Sequence, residues 1–253
     1  MKVNEMELVN VEIVNNFNRY HSITKEKALT ESDLLGLEVF RKELKALKLL
    51  NLFLKRVMDI CGAIVGIILL IPITIGVTII NSISGDRGPL FYSHERIGKN
   101  GKHFKMYKFR SMCVDADIKL KELLENNEDA RKEWEENQKL QNDPRVTKVG
   151  KILRKTSLDE FPQFINVLKG EMSLVGPRAI VDDEAQKFGL LKDKVFSVKP
   201  GITGYWAANG RSNTSYDERI VMEATYVDNF SVWMDIKILF KTVVSVLKKD
   251  GAV

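Results

Sequence analysis

The apolar and polar positions of this chain change their spacing several times, and each change predicts an element. Residues 1–30 show no clean period and read as a loosely ordered tail. From Glu31 to Leu50, Leu34, Leu37, Leu44, Leu47 and Leu50 recur at helical spacing among Lys, Arg and Glu. That pattern predicts an amphipathic helix, suited to a membrane surface, to a partner, or to packing on its own domain. The next stretch is the dominant feature. No charge falls between Asp59 and Asp86, and residues 60–80 read ICGAIVGIILLIPITIGVTII. Twenty-six uncharged residues would extend roughly 39 Å as a helix, more than the ~30 Å hydrocarbon core requires. Insertion into a membrane is therefore expected, against the alternative of a buried helix in a soluble core.

Pro72 near the middle of this run deletes a backbone hydrogen bond and predicts a kink. Residues 1–56 carry ten Lys/Arg against eight Asp/Glu, and the segment after Ser84 is also basic. Both flanks being basic, the positive-inside rule selects no orientation for a spanning helix. A spanning helix and a helix–break–helix that returns to the same face both remain open from the residues alone.

Downstream, LFYSHERI and HFKMYKF flank Gly98-Lys99-Asn100-Gly101-Lys102, a hairpin signal, with Lys99, Lys102, Lys105, Lys108 and Arg110 making it basic. Residues 114–140 read as a solvated acidic helical arm. Asn142-Asp143-Pro144 predicts a turn, and Val146, Val149, Gly150 and Leu153 mark a short helix with Lys148, Lys151 and Lys155 on its other face. Ser157-x-x-Glu160 matches a capping box, followed by Phe161, Phe164, Ile165 and Leu168 at helical spacing and Gly170 as a stop. Near the C-terminus Trp233, Ile236, Phe240, Val243, Val244 and Leu247 line one face with lysines elsewhere, predicting an interfacial or core-packed helix.

Composition narrows the class. With 253 residues and 44% hydrophobic against 29% charged, wholesale disorder is excluded. A mean hydropathy of −0.15 with one long apolar run excludes a polytopic membrane protein. The net charge of +5 suits an anionic membrane or a phosphorylated substrate. Cys61 and Cys113 form no disulfide framework, the three histidines form no zinc site, and an intracellular setting is expected. The first fifty residues are polar and charged, so no cleavable signal peptide is expected.

Asp159 and Glu160, beside Arg154 and Lys155, carry the candidate chemistry. Acids in a first helical turn are ordinary capping chemistry. They are also what a phosphoryl-transfer site needs: an ionised oxyanion nucleophile and a neighbouring hard oxygen ligand for Mg²⁺. Arg178 in Gly-Pro-Arg and Arg211 in Asn-Gly-Arg follow tight turns, a placement suited to clamping phosphate.

Several stretches, in order, carry a resemblance. They are Lys55-Arg56-Val57-Met58-Asp59, Gly88-Pro89-Leu90-Phe91 and Lys108-Phe109-Arg110-Ser111-Met112, then Arg154 through Gln163. Gly176-Pro177-Arg178, Pro200-Gly201-Ile202-Thr203-Gly204 and Asn209-Gly210-Arg211-Ser212 follow. Over residues 52–250 the chain resembles the monotopic bacterial sugar transferases, the polyprenyl-phosphate phosphoglycosyl transferases. The resemblance implies transfer of a sugar 1-phosphate from a UDP-sugar to undecaprenyl phosphate, with release of UMP. It implies Asp159 as the nucleophile of a covalent phosphosugar intermediate and Glu160 as the Mg²⁺ ligand. It further implies Arg154 and Arg211 at the phosphate and nucleotide site, and Arg178 in the Pro-Arg-Pro loop. Lys108 and Arg110 of the basic hairpin join the candidate phosphate-binding set. The family's membrane element is re-entrant with its break at Pro72, and its active site faces the cytoplasm at the inner membrane.

The implied fold is mainly α with a small β-hairpin, a monotopic membrane protein with interfacial amphipathic helices. The implied organisation is an N-terminal extension over 1–50, a re-entrant helix over 51–85 and a catalytic domain over 86–253. Implied partners are undecaprenyl phosphate, a UDP-sugar and membrane lipid; nucleic acid is not expected, and a homodimer is left open. The stretches 178–184, 204–206 and 211–216 resemble the hexose branch, which transfers glucose or galactose 1-phosphate at the first membrane step of capsule, exopolysaccharide or O-antigen synthesis. An N-acetylated sugar is the alternative within the reaction, and a non-catalytic membrane-tethered adaptor the alternative outside it. Four positions depart from the family pattern: Ala179 at the second proline of the Pro-Arg-Pro loop, Ala207-Ala208 before Asn-Gly-Arg, and Ile71 before Pro72. The larger hexose transferases carry an N-terminal multi-helix domain, so a minimal catalytic version is expected.

Overall fold

The computed structural model describes residues 31–137, 140, 143–210 and 214–248, and divides into two compact units, 1–52 and 53–253. Helix α1 (Glu31–Ile83) covers both the predicted amphipathic stretch and the apolar run, with Pro72 inside it. In the first unit Leu47, Leu49 and Leu50 are exposed.

From Phe53 onward one stripe of α1 packs against the globular part. Asp59 accepts hydrogen bonds from Ser173 Oγ at 2.8 Å and the Leu174 amide at 2.9 Å. Ala63 packs with Val167, Met172 and Leu174. Beyond Pro72, Val77 packs with Phe109, Val149 and Leu153. Positions 55, 59, 63, 70 and 77 lie four or seven apart, on one helical face. The opposite face exposes Ile64, Ile68, Ile71, Ile75 and Ile79. Only 22% of the most apolar 18-residue window is buried, which does not suit a soluble core helix. Thr74, Thr78 and Ser82 each donate to the carbonyl four residues back, hiding their hydroxyls along this face.

Strands β1 (Phe91–Ile97) and β2 (His103–Phe109) form the expected antiparallel hairpin, with Phe91 opposite Phe109 and Ile97 opposite His103. Asn100 at φ 56° and Gly101 at φ 76° make the turn, as Asn-Gly chemistry favours. The acidic arm is two helices, α2 (Ala116–Asn126) and α3 (Glu128–Asn137), separated at Asn127, whose extended backbone breaks the run.

Helix α4 (Lys148–Lys155) is capped by Thr147, whose Oγ1 accepts from the Gly150 amide, and buries Val149, Gly150 and Leu153 as expected. A Cβ at Gly150 would overlap the Ser111 carbonyl oxygen. Gly150→Ala is therefore expected to cost about 1–3 kcal/mol through backbone displacement, measurable by thermal unfolding in nanodiscs. Helix α5 (Gln163–Lys169) ends on Gly170 at φ 84°. The capping box expected at Ser157–Glu160 does not form. Ser157 is left-handed at φ 55° without a side-chain cap bond, and Leu158–Glu160 is a single 3₁₀ turn. The capping box that does form is Ser215–Glu218, at the start of α9 (Tyr216–Asp228).

A second sheet was not anticipated from the sequence. Strands β3 (Ser173–Val175) and β4 (Gly201–Thr203) pair in parallel, and an Arg178–Gly201 bridge extends the pairing. Between them lie α6 (Asp182–Ala185) and α7 (Lys192–Phe196), followed by α8 (Tyr205–Asn209). The terminal α10 (Val232–Lys248) buries Asp235 and Ile238 while exposing Trp233, Ile236, Phe240 and Val243, four residues of the predicted stripe.

Candidate active site

The 3₁₀ turn between α4 and α5 is the centre of the site. Its carboxylates are not spent on capping, and the left-handed Ser157 turns the chain sharply at their approach; a non-glycine residue keeps that conformation only where the surroundings enforce it. Leu158 and Phe161 anchor the turn against Phe109, Val149 and Leu153. Asn166 fixes α5 to β2: its Oδ1 accepts from the Tyr107 amide at 3.0 Å and its Nδ2 donates to the Lys105 carbonyl at 2.7 Å. This docking brings Lys108 of β2 to the turn. Lys108 Nζ lies 2.8 Å from Glu160 Oε1 and 4.0 Å from Asp159 Oδ2.

Arg154 reaches the same place from the last turn of α4, its Nε donating to Ser111 Oγ at 3.0 Å. The stretch Lys108–Met112 thus serves the site twice, through Lys108 directly and through Ser111 on Arg154. Arg110 does not join it. Its guanidinium donates to the Pro89 and Met112 carbonyls and pairs with Asp86 at 2.7 Å, and the pairing lowers the Asp86 carboxyl. Pro72 lies in α1, and Arg211 lies outside the described residues.

The two adjacent carboxyls are driven in opposite directions. Asp159 is buried, and desolvation raises its pKa above the usual aspartate range, although Lys108 and Arg154 pull the other way. Desolvation acts on Glu160 as well, but there Lys108, Arg178 and Gln163 prevail and hold it below the usual glutamate range. Carboxyl pairs separated in this way divide the chemistry: Asp159 is the more basic oxyanion, Glu160 the persistently charged one. A raised pKa means that Asp159 takes up its proton at a higher pH than an ordinary aspartate. Any activity that needs the anion should fall on the acid side accordingly. In Lys108→Met the acid limb should move to still higher pH, read from a pH–rate profile.

An open cleft lies beside this turn, lined by Lys108, Glu160 and Gln163 together with Arg96, Arg178, Trp206 and Glu223. Its floor is glycine-rich because two backbone segments meet there. The Gly176 amide donates to the Thr203 carbonyl at 2.9 Å, and the Gly201 amide to the Pro177 carbonyl at 2.8 Å. A Cβ at Gly176, Gly201 or Gly204 would overlap the facing backbone, so the Gly-Pro-Arg and Pro-Gly-Ile-Thr-Gly stretches are complementary parts of one structure. Ala179 and Ala207, two of the departures noted in the sequence, also line the cleft. Gln163 and Trp206 fall in stretches that carry the resemblance, whereas Arg96 and Glu223 are not singled out by sequence; each is an unremarkable residue in a strand or helix until the fold turns it toward the cleft.

A parallel β3–β4 pair, a carboxylate turn and an arginine-bearing loop thus stand in one chain with a helix long and apolar enough to cross a membrane. The family model for bacterial sugar transferases matches residues 50–249, and the chain belongs to that family. It is 49% identical over 200 residues to a UDP-galactose-lipid carrier transferase of Erwinia amylovora and 50% identical over 200 residues to an undecaprenyl-phosphate galactose phosphotransferase of Salmonella typhimurium. Each alignment covers 79% of this chain and 42% of the relative, so the chain spans less than half the length of these two proteins. The exopolysaccharide production protein ExoY of Rhizobium meliloti is 43% identical over 198 residues, covering 78% of this chain and 87% of that protein.

Proposed function

We propose that this protein transfers hexose 1-phosphate from a UDP-sugar to undecaprenyl phosphate, releasing UMP, with Asp159 as nucleophile. The observation that carries the reading is the adjacent Asp159 and Glu160 on a 3₁₀ turn without a side-chain cap, with Lys108 Nζ 2.8 Å from Glu160 and 4.0 Å from Asp159, beside a cleft that Arg96 and Arg178 also line. In the first step an Asp159 carboxylate oxygen attacks the phosphorus that bears the sugar. The bond between that phosphorus and the bridging oxygen breaks, and UMP leaves with the electron pair. In the second step a lipid phosphate oxygen attacks the same phosphorus, the acyl–phosphate bond breaks, and the Asp159 carboxylate is regenerated. Lys108, Arg154 and Arg178 offset the negative charge that both steps accumulate. Arg211 is proposed to share the nucleotide's phosphates.

The donor set suits a hard cation: two adjacent carboxylates and no sulfur or imidazole. Mg²⁺ is typically held by one or two carboxylates and completed by substrate phosphate. Glu160 would hold it, and the bound ion would supply neutralisation of diphosphate charge. Galactose is favoured as the sugar by the names of the two relatives at 49–50% identity, with glucose next.

The membrane arrangement follows from α1. Its stripe touches the charged globular part on both sides of Pro72, through Asp59 and Ala63 before it and Val77 after it. A helix crossing the bilayer would drag α4, with Lys148, Lys151 and Lys155, into hydrocarbon. Although α1 runs through Pro72 as one helix rather than as the expected helix–break–helix, the segment is read as re-entrant or in-plane, with α10 lying on the same surface and the site at the cytoplasmic face of the inner membrane.

The test is UMP release by the full chain in nanodiscs with undecaprenyl phosphate, Mg²⁺ and a panel of UDP-sugars. Release with UDP-galactose or UDP-glucose is expected. Release with an N-acetylated sugar alone would overturn the hexose assignment, and none with any sugar would overturn the reaction.

A further inference from the structure

Glu223 is a carboxylate of the cleft that the proposed phosphoryl transfer does not use. It sits on α9 with 1% of its surface exposed, yet it lines the cleft. Its Oε1 accepts from the Arg178 amide at 3.0 Å, while its Oε2 is buried without a hydrogen-bond partner. A buried carboxylate oxygen without a donor is costly, and native folds retain one where something else supplies the donor. One turn earlier Arg219 does not supply it. Its guanidinium stacks over Trp206 at 4.8 Å and Tyr216 at 5.1 Å and approaches Glu184 at 3.6 Å.

The chemistry of the missing donor follows by exclusion. A phosphate would be repelled by the carboxylate and is already served by Lys108 and Arg178. The divalent cation of the proposed reaction is already assigned to Glu160. A neutral hydroxyl fits: it donates to Oε2 and adds no charge to a buried position. The geometry points to Glu223 as a specificity-determining residue that accepts a hydrogen bond from a hydroxyl of the sugar nucleotide, on either the hexose or the ribose. Desolvation raises the Glu223 carboxyl to about 7, so the group gains from a donor that stabilises its charged form. This inference rests on the reading that a UDP-sugar occupies the cleft.

Glu223→Gln is the informative variant. Its carbonyl keeps the Arg178 amide bond and its NH₂ replaces the free oxygen, turning an acceptor into a donor without changing shape. The full chain in nanodiscs would be assayed for kcat/KM of UMP release with UDP-galactose, with donors lacking one hexose hydroxyl each, and with a donor lacking the ribose 2′-hydroxyl. Wild type should lose about tenfold to a hundredfold on one of these deletions. E223Q should lose a similar factor on the intact donor and be indifferent to that same deletion. Whether a hexose or the ribose deletion responds names the source of the hydroxyl. Glu223→Asp, which withdraws the carboxylate by one methylene, should behave as E223Q does and serves if the glutamine variant fails to fold. The proposal is overturned if the variants discriminate among the donors as wild type does. Calorimetric Kd values for the same donors read the contact without turnover. Absence of UMP release would therefore refute the transfer reaction while leaving the hydroxyl contact separately decided.

Discussion

Asp159→Asn should abolish UMP release, by at least ~10³-fold, while leaving the protein folded. The expectation follows from where the carboxylate stands. Asp159 caps no helix, since the turn it occupies makes no side-chain cap bond, and its cationic neighbours Lys108 and Arg154 keep other partners in Glu160 and Ser111. An amide of the same shape therefore removes the nucleophile and little else, and stability should change by less than about 1 kcal/mol. Glu160→Gln should differ in kind. It breaks the 2.8 Å pair with Lys108 at the cleft wall, so its rate should fall and no longer respond to added Mg²⁺ as wild type does. A variant Asp159→Asn with wild-type turnover would leave the turn with no role beyond structure.

The largest effect on stability is expected from Lys55→Met. Lys55 Nζ pairs with Asp235 Oδ2 at 2.6 Å and also donates to the Val175 carbonyl at 2.9 Å, and Tyr226 donates to Asp235 Oδ1 at 2.8 Å. Asp235 has no exposed surface, so removing its cation strands a buried charge, at a cost of about 3–5 kcal/mol. Replacing both partners, as Lys55→Met with Asp235→Leu, should recover much of the loss, because Tyr226 retains the Val175 carbonyl as an acceptor. The pH dependence has a definite sign. Burial already raises the Asp235 carboxyl although Lys55 opposes the rise, and without Lys55 it climbs further. The folded single variant then binds a proton more readily than the unfolded chain, so its deficit should shrink as the pH falls. Thermal unfolding of the single and double variants at neutral and acidic pH checks both statements.

Local signals made part of this legible in the sequence. The Gly98–Lys102 turn, the Val149–Leu153 stripe of α4 and the Gly170 stop each depend on a few neighbouring residues, and each forms where expected. The β3–β4 pair was invisible because three-residue strands carry no period, and their partner lies nearly thirty residues away. The capping box was read at Ser157 because S-x-x-E is a spacing rule. At Ser157 the chain instead turns left-handed, and Ser215–Glu218 meets the same rule with the geometry it requires. Asp159 and Glu160 stand out as adjacent carboxylates in the company of basic residues and within a stretch that carries the family resemblance. Glu223 and Arg96 could not be found this way, because a single Glu in a helix and an Arg in a strand acquire meaning only when the Gly-Pro-Arg loop is laid against them.

The most direct test of the account is to trap its intermediate. The purified chain, in nanodiscs without undecaprenyl phosphate, would be incubated with UDP-galactose and Mg²⁺ and read by intact-protein and peptide mass spectrometry. The account predicts a stoichiometric hexosyl-phosphate adduct on the peptide containing Asp159, released when undecaprenyl phosphate is added and absent from Asp159→Asn. UMP formed only when the lipid is present, with no adduct on the protein under any condition, would contradict it.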